Sequence, residues 1–338
     1  MSNFWQQLKK PIFCLAPMEE VTDFAFREMF ARYSGNGQQG TGNGFVMFTE
    51  FINTDGLTHP EGYKKLAIDL KYSENQRPIV AQIWGNRPEK FLQAAKIAAD
   101  LGFDGVDINM GCPQQKEIGL GACAALIRQP KLAQEIILAT KEGAVSAGRR
   151  MPVSVKTRLG YSKSGEMAGW VENLLSCGIA ALTLHARTKQ EMSKVPANWE
   201  KIKEAVEIRN QATGNRQQEG RTLIIGNGDI KSREEGLKRI QETGCDGVMV
   251  ARGAFGHPWF FRNDGYQLGA KERLRVMLEH AELFNQELGQ YKSFVIMRKH
   301  FKAYCSGFSG AHELRAKLME TKSFEETKSI VAEYLKTA

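Results

Sequence analysis

The chain has 338 residues, 42% of them hydrophobic and 25% charged, with a net charge of +8 and a pI of about 9.1. This is the composition of an ordinary soluble globular protein, long enough for one large domain and a smaller one. Met1 to Lys10 has no apolar h-region, no run approaches the ~18 apolar residues of a membrane span, and six cysteines without paired spacing indicate reduced thiols rather than a disulfide framework. The positive balance is a modest hint of a polyanionic partner, because a basic surface releases counterions from phosphates.

Eight short apolar runs recur along the chain, each ending in something polar or small. They are Ile12–Met18, Phe45–Glu50, Ile79–Gly85, Gly105–Asn109, Val153–Arg158, Ala181–Arg187, Leu223–Asp229 and Val248–Gly253. Val, Ile and Phe dominate them, as buried parallel strands require. Helical patterns lie between them. Pro88–Leu101 opens on a proline suited to a first turn, and Pro130–Lys141, Met167–Ser176 and Arg233–Thr243 follow. The last two stop before Gly178 and Gly244, each able to take a left-handed cap. Strand ends are spaced by roughly 33 residues, close to one βα unit of a barrel in which ~250 residues make eight units. The alternation predicts an α/β chain with a (β/α)8 TIM barrel over residues 1–262, followed by a small helical domain over 263–338. Its helices are expected at Ala270–Leu288, Lys292–Cys305 and Ser323–Leu335. Two polar stretches, Ser34–Gly44 and Arg209–Gly220, read as surface insertions.

In such a barrel the C-terminal strand ends build the active site. Pro17 and Met18 close the first strand; Gln82, Asn109, Lys156 and His185 stand near the ends of the third to sixth. The seventh ends in Gly226-Asn227-Gly228-Asp229 and the eighth in Ala251-Arg252-Gly253. Those last two turns let backbone N–H groups face a phosphate, with Arg252 adding charge, so together they suggest a phosphate-bearing ligand. A lysine such as Lys156 is costly to bury without an anion. A flavin ring edge or a substrate carboxylate would serve; otherwise its ammonium reaches water. His185 is either a ligand contact or a core histidine satisfied by backbone. No Asp/Glu/His set has metal-ligand spacing.

The stretch Gly105–Ile127 is the centre of the chain. It starts as a strand, breaks at Met110-Gly111-Cys112-Pro113, and is expected to resume as a helix from Gly121. Cys112 lies in a loop at the active-site end rather than in a core, and a mostly protonated thiol can donate a proton. Cys123 reads as a packing residue.

At these residues the chain resembles the tRNA-dihydrouridine synthases. The resemblance runs through LAPMEEVTDFAFR (Leu15–Arg27), Thr49-Glu50, AQIWG (Ala81–Gly85), DINMGCPQQK (Asp107–Lys116) and GACAAL (Gly121–Leu126). It continues through PVSVKTRLG (Pro152–Gly160), LHART (Leu184–Thr188), GNGDI (Gly226–Ile230), VMVARGAFGHPW (Val248–Trp259) and MRKHF (Met297–Phe301). The resemblance implies reduction of uridine in tRNA to 5,6-dihydrouridine by FMN, itself re-reduced by NADPH or NADH. Reduced flavin would deliver hydride to uracil C6, and Cys112 would protonate C5. Pro17 and Met18 would pack on the flavin and Gln82 would hydrogen-bond it. Lys156 and His185 would contact its rings. Asn227, Gly228, Asp229, Arg252 and Gly253 would hold its ribityl and phosphate part. Asn109 would position the uracil, and Arg187 would touch substrate. The chain departs from the family pattern at Glu20 and Cys123, where many members have Gly; neither is expected to touch the chemistry.

The helical domain carries the RNA argument. Between Leu288 and His312 there is no acidic residue, and Lys292, Arg298, Lys299 and Lys302 fall on one flank of a helix at 100° per residue. That flank, Arg298 and Lys299 above all, is expected to face phosphates. The expected partner is tRNA, with no membrane and no metal, for a monomer in the cytoplasm. Two other readings remain open at this point. One is an FMN barrel oxidoreductase acting on a small dihydropyrimidine-type substrate; the other is a non-catalytic RNA-binding barrel.

Overall fold

The structure, a computed structural model, describes residues 3–35, 44–146, 148–213 and 220–337. Most of the two polar insertions, residues 36–43 and 214–219, lies outside the described residues.

Eight parallel strands close into a barrel: β1 (Ile12–Leu15), β2 (Met47–Phe48), β3 (Ile79–Trp84), β4 (Gly105–Met110), β5 (Val153–Arg158), β6 (Ala181–His185), β7 (Leu223–Asn227) and β8 (Gly247–Val250). Each pairs with its sequence neighbours, and β8 returns to β1 in the register Ile12 with Gly247. Closure between β1 and β2 is made by Leu15 N–H on the Val46 carbonyl at 2.9 Å and Val46 N–H on the Phe13 carbonyl at 3.0 Å. Every expected apolar run overlaps one of these strands. Several strands are shorter than their runs, because the polar end of each run leaves the ladder to line the mouth.

The helices α1 (Phe24–Ser34), α2 (Pro60–Leu66), α3 (Pro88–Asp100), α4 (Pro130–Gly143), α5 (Met167–Ser176), α6 (Glu200–Thr213) and α7 (Arg233–Thr243) follow the first seven strands. Prolines open α2, α3 and α4 at the first turn, where a missing N–H costs nothing. After β8 the described residues hold only a 3₁₀ turn, Arg252–Ala254, before the helical unit.

The helical unit comprises α8 (Ala270–Leu288), α9 (Arg298–Tyr304), α10 (Ala311–Leu318) and α11 (Phe324–Thr337). The single helix expected over Lys292–Cys305 is instead a 3₁₀ turn, Phe294–Met297, running into α9. Ser293 caps that turn through its hydroxyl, so Lys292 stays outside it. The fourth helix, α10, was not expected; it starts directly after Gly310. The apolar core of the unit is shared with the barrel, taking Phe24, Ala25 and Met29 from α1 alongside Leu274, Met277, Phe284, Met297 and Phe301.

Two histidines sit in this seam. His280 and His300 are fully buried with ring centroids 4.8 Å apart, against Phe26 of α1, and none of their ring nitrogens has a hydrogen-bond partner among the described residues. Burial lowers the His280 pKa from 6.5 to about 3 and pushes His300 down as well. Both are neutral in the folded protein, whereas the unfolded chain protonates them below about 6.5. Stability is therefore full above that value and is expected to fall as pH drops toward 3, by up to ~1.4 kcal/mol per pH unit for one such histidine. Urea unfolding at pH 7.5 and pH 5.5 checks this; His280→Phe should flatten the dependence, and an unchanged slope would remove His280 from the account.

Candidate active site

Strand register places the polar residues of the mouth in rows. Gln82 pairs with Asp107, and Asp107 with Ser154, in the deepest row. Asn109 pairs with Lys156, and Lys156 with Thr183, one level higher. Arg158, His185 and Asn227 form the next level. Because side chains alternate along a strand, residues 154, 156 and 158 share the inner face of β5 while Val153 and Val155 pack outward.

The deepest row forms a continuous hydrogen-bond chain that reaches up to Asn109 in the next row. Ser154 Oγ donates to Asp107 Oδ1 at 2.6 Å, Gln82 Nε2 donates to Asp107 Oδ2 at 2.7 Å, and Asn109 Nδ2 donates to Gln82 Oε1 at 3.2 Å. Burial pushes the Asp107 carboxyl up to about 6 against these donors and the nearby Lys156 charge. Gln82 is thus engaged at both ends of its amide. Asn109 carries a further duty: its Oδ1 accepts from the backbone N–H of Gly111 and of Cys112, each at 3.0 Å, and so shapes the thiol loop.

Lys156 has neither a hydrogen-bond nor an ion-pair partner among the described residues. Burial, with the Arg158 charge beside it, lowers its pKa to about 8, partly offset by Asp107 and Cys112. An ammonium held in a polar mouth with nothing to pair it marks the seat of an anionic group.

Arg158 was not anticipated. It is buried, and its guanidinium donates to the carbonyls of Gly111 at 2.8 Å, Thr188 at 3.0 Å and Met192 at 3.0 Å. It ties the thiol loop to the loop after β6. Its spacing of two from Lys156 on the same strand was the available signal.

Arg187 is 3% exposed and fully engaged: Nε on the Val195 carbonyl at 2.6 Å, Nη1 against His185 Nε2 at 3.2 Å, and Nη2 on Asp229. Asp229 also accepts from Ala197 N–H at 2.9 Å and from Arg252 at 3.4 Å. These donors hold the Asp229 carboxyl below the usual range although burial opposes them. Burial first, then the charges of Arg158, Lys156, Arg187 and Arg252, keep His185 neutral, well below 6.5.

A cavity of about 780 Å³ opens above these rows, lined among others by Met18, Arg158, His185, Asn227, Arg252 and Gly253. Pro17 is buried beside Met18. Asn227 Nδ2 is anchored on the Met249 carbonyl at 2.8 Å. Two glycines of the rim admit no side chain: a Cβ on Gly228 would lie 2.8 Å from that of Ala197, and one on Gly253 would lie 2.2 Å from the Ile230 carbonyl oxygen. The Arg252 side chain is 69% exposed, with one guanidinium nitrogen 3.4 Å from Asp229 Oδ1. Bare backbone turns, an exposed guanidinium and a partnerless ammonium fit an anionic, phosphate-bearing ligand.

Cys112 is 9% exposed beside this cavity, in an apolar pocket with Trp84, Ala122 and Phe51. The expected helix from Gly121 is replaced by a short helix, Gln115–Gly119, and a 3₁₀ turn, Cys123–Arg128. Ala122 is extended and Cys123 has φ +55°, which breaks a continuous helix. Glu20 likewise has φ +53°, so both departures from the family pattern fall where glycine is conformationally cheapest. Cys123 is fully buried in the same apolar cluster as Cys112. All six cysteines are free and buried.

The basic flank expected on the helical unit is not continuous. Lys292 is only 15% exposed and bridges Glu50 at 2.5 Å and Asp69 at 2.6 Å. Arg298 donates to the carbonyls of Thr321 and Glu320, each at 3.0 Å, closing the end of α10. Lys299 pairs with Glu20 at 3.0 Å, and Lys302 is exposed.

A model of the dihydrouridine synthase family matches residues 14–338. The chain belongs to that family. It is 40% identical over 333 residues to the "Probable tRNA-dihydrouridine synthase" of Staphylococcus aureus strain COL, covering 98% of this chain and 95% of that protein. It is also 40% identical over 336 residues to the "Probable tRNA-dihydrouridine synthase 2" of Bacillus subtilis strain 168, covering 98% and 96%. Family membership makes the chain an oxidoreductase. Among solved structures, histamine dehydrogenase from Rhizobium sp. 4-9 superposes with a TM-score of 0.52 at 13% identity, covering 83% of this chain and 51% of that one. The 6-hydroxypseudooxynicotine amine oxidase of Pseudomonas geniculata N1 gives 0.50 at 12% identity, covering 75% and 48%. These two share the barrel fold. No described helix is long and apolar enough to cross a membrane.

Proposed function

We propose that the chain reduces uridines in tRNA to 5,6-dihydrouridine, with FMN seated in the barrel mouth and NADPH or NADH as reductant, as a cytoplasmic monomer. The observation that carries this reading is the thiol loop of Cys112 tied by Arg158 to β5, the strand whose partnerless Lys156 stands in register with Asn109. Met18 and Pro17 pack against the flavin, and Lys156 and His185 meet its ring system. Asn227, Gly228, Gly253 and Arg252 hold the ribityl and phosphate part, with Asp229 aiming Arg252 and Arg187. Gln82 presents its remaining amide hydrogen. When bound, reduced FMN would supply a hydride to C6 of the uracil.

The chain's own residues do the rest. Asn109 holds the thiol loop and positions the base, and Arg187 braces the rim on the substrate side. Cys112 gives its proton to C5. The base must leave its stack to reach this mouth, since the carbon is inaccessible in folded RNA. The helical unit steers the RNA: Lys299 and Lys302 offer charge to phosphates, and Arg298 keeps donors beyond those it spends on backbone. A groove of about 560 Å³ beside them, lined by Glu20, Tyr291, Ser293 and Lys299, adds a 67% exposed aromatic ring.

The purified protein is expected to be yellow, with a flavin spectrum released on denaturation; a colourless protein that takes up no added FMN would refute the cofactor. The Lys299→Gln, Lys302→Gln double variant is expected to weaken tRNA binding and reduce the slope of log affinity against log salt by about 1 to 2. An unchanged slope and affinity would exclude this surface from the footprint.

A further inference from the structure

The hydrogen-bond chain under the mouth runs in one direction only, and its source is a carboxylate that the reaction as described does not use. Asp107 is fully buried, and both of its oxygens accept: Oδ1 from Ser154 Oγ at 2.6 Å and Oδ2 from Gln82 Nε2 at 2.7 Å. A carboxylate accepts and never donates, so Gln82 has to turn its NH2 group toward Asp107. The Gln82 carbonyl then faces Asn109, which answers with its own NH2 group at 3.2 Å. That leaves Asn109 Oδ1 for the backbone N–H groups of Gly111 and Cys112, each at 3.0 Å. We infer that Asp107 is a positioning residue for Cys112: its charge fixes the orientation of two side-chain amides in series and so seats the thiol loop.

Shape alone does not choose this direction. The oxygen and nitrogen of a carboxamide are nearly the same size, so Gln82 and Asn109 fit their sites either way round. Reversed, Asn109 would turn N–H groups toward the N–H groups of Gly111 and Cys112, donor against donor in a buried site. The loop has little room to escape such a clash. A Cβ on Gly111 would lie 3.1 Å from Thr157 Cα, and the Gly111 carbonyl is already held by Arg158 Nε at 2.8 Å. Gly111 is thus gripped on both sides, by a guanidinium at its carbonyl and by Asn109 at its N–H. Burial raises the Asp107 pKa to about 6, while Ser154, Gln82 and the Lys156 charge pull it down, so the group is ionised at neutral pH. The same direction decides what the mouth offers a ligand. Gln82 and Asn109 each keep one amide hydrogen beyond the chain, a donor suited to the carbonyl oxygens of a flavin ring and of uracil.

This inference rests on Cys112 as the proton donor, and the test separates the two. Asp107→Asn keeps the shape of the side chain but lets it meet Gln82 with either oxygen or nitrogen, so the direction of the chain is no longer imposed. Combining Asp107→Asn with Gln82→Glu moves the carboxylate one step along. It then accepts from residue 107 on one side and from Asn109 on the other, and the orientation of Asn109 is imposed again. With saturating FMN and at fixed pH, alkylation of Cys112 by iodoacetamide is followed by mass spectrometry. Asp107→Asn is expected to speed alkylation at least about threefold as the loop loosens, and to lower kcat on tRNA about tenfold, the worth of weakening a charge-assisted hydrogen bond to a neutral one. The double variant is expected to return the alkylation rate to the wild-type value, which a merely structural loss at Asp107 would not allow. Its kcat is not expected to recover, because the carboxylate at position 82 has no N–H for the flavin. An unchanged alkylation rate in Asp107→Asn, or a double variant that reacts as fast as the single one, overturns the inference. Normal turnover by Cys112→Ala would instead overturn Cys112 as proton donor, while the alkylation rates, which need no turnover, still decide whether Asp107 seats the loop.

Discussion

Cys112→Ala is expected to lower turnover on tRNA by about 10²- to 10⁴-fold, the usual worth of a positioned general acid, while flavin and tRNA binding persist. The structure separates these effects. Cys112 contributes only its thiol to the pocket, whereas the loop that carries it is held by Asn109, by Arg158 and by the Ala124 N–H, none of which needs the sulfur. The loop therefore keeps its course in the variant, and the loss falls on kcat. The pH profile adds a second readout. Because the contact with Cys123 lowers the Cys112 pKa, the protonated form runs out earlier than for an ordinary thiol as pH rises. The alkaline limb of kcat is expected below that of a free cysteine and should be absent from the residual activity of Cys112→Ala. Turnover by the alanine variant within threefold of wild type would remove the thiol from the mechanism.

Lys156→Met is expected to act in opposite directions on the empty and the loaded protein. Flavin affinity should fall by roughly two to three orders of magnitude, as when one partner of a buried charge pair is truncated. The flavin-free variant should instead melt a few degrees higher than the flavin-free wild type at pH 7. The sign follows from the lowered pKa. Below about 8 the folded apoprotein carries an ammonium with no partner, and this disfavours folding relative to the unfolded chain, where the group titrates near 10.5. The penalty fades as pH rises between those values, so the difference in melting temperature should shrink above pH 8. For the same reason wild-type flavin affinity should weaken as pH rises past 8. A variant that retains FMN as well as wild type would show that Lys156 pairs with something else.

Much of this site was legible before any coordinates. Runs such as Val153–Arg158 announce buried parallel strands because both faces demand apolar residues, so the rare Lys or His within them marks a place where a polar partner belongs. That argument located Lys156, His185 and the glycine turns after β7 and β8. It failed where a side chain's partner is backbone distant in sequence. Arg158 binds carbonyls of Gly111, Thr188 and Met192, which are 30 to 47 residues away in either direction. Nothing local reveals such contacts. Lys292 failed for a related reason: helical periodicity set it on an exposed flank, but two carboxylates, Glu50 and Asp69, draw it into the seam between barrel and helical unit. The 3₁₀ turn at Phe294–Met297 then removes the regular 100° step on which that flank depended.

The central claim, that this mouth reduces uridine within tRNA, is tested most directly by supplying purified protein, FMN and NADPH to unmodified tRNA and to free uridine, and measuring dihydrouridine by mass spectrometry of the nucleosides. Dihydrouridine is expected in tRNA, formed at least about a hundredfold more slowly by Cys112→Ala and negligible with free uridine. Reduction of free uridine at a rate comparable to tRNA, or none in tRNA with the flavin bound, would contradict the account.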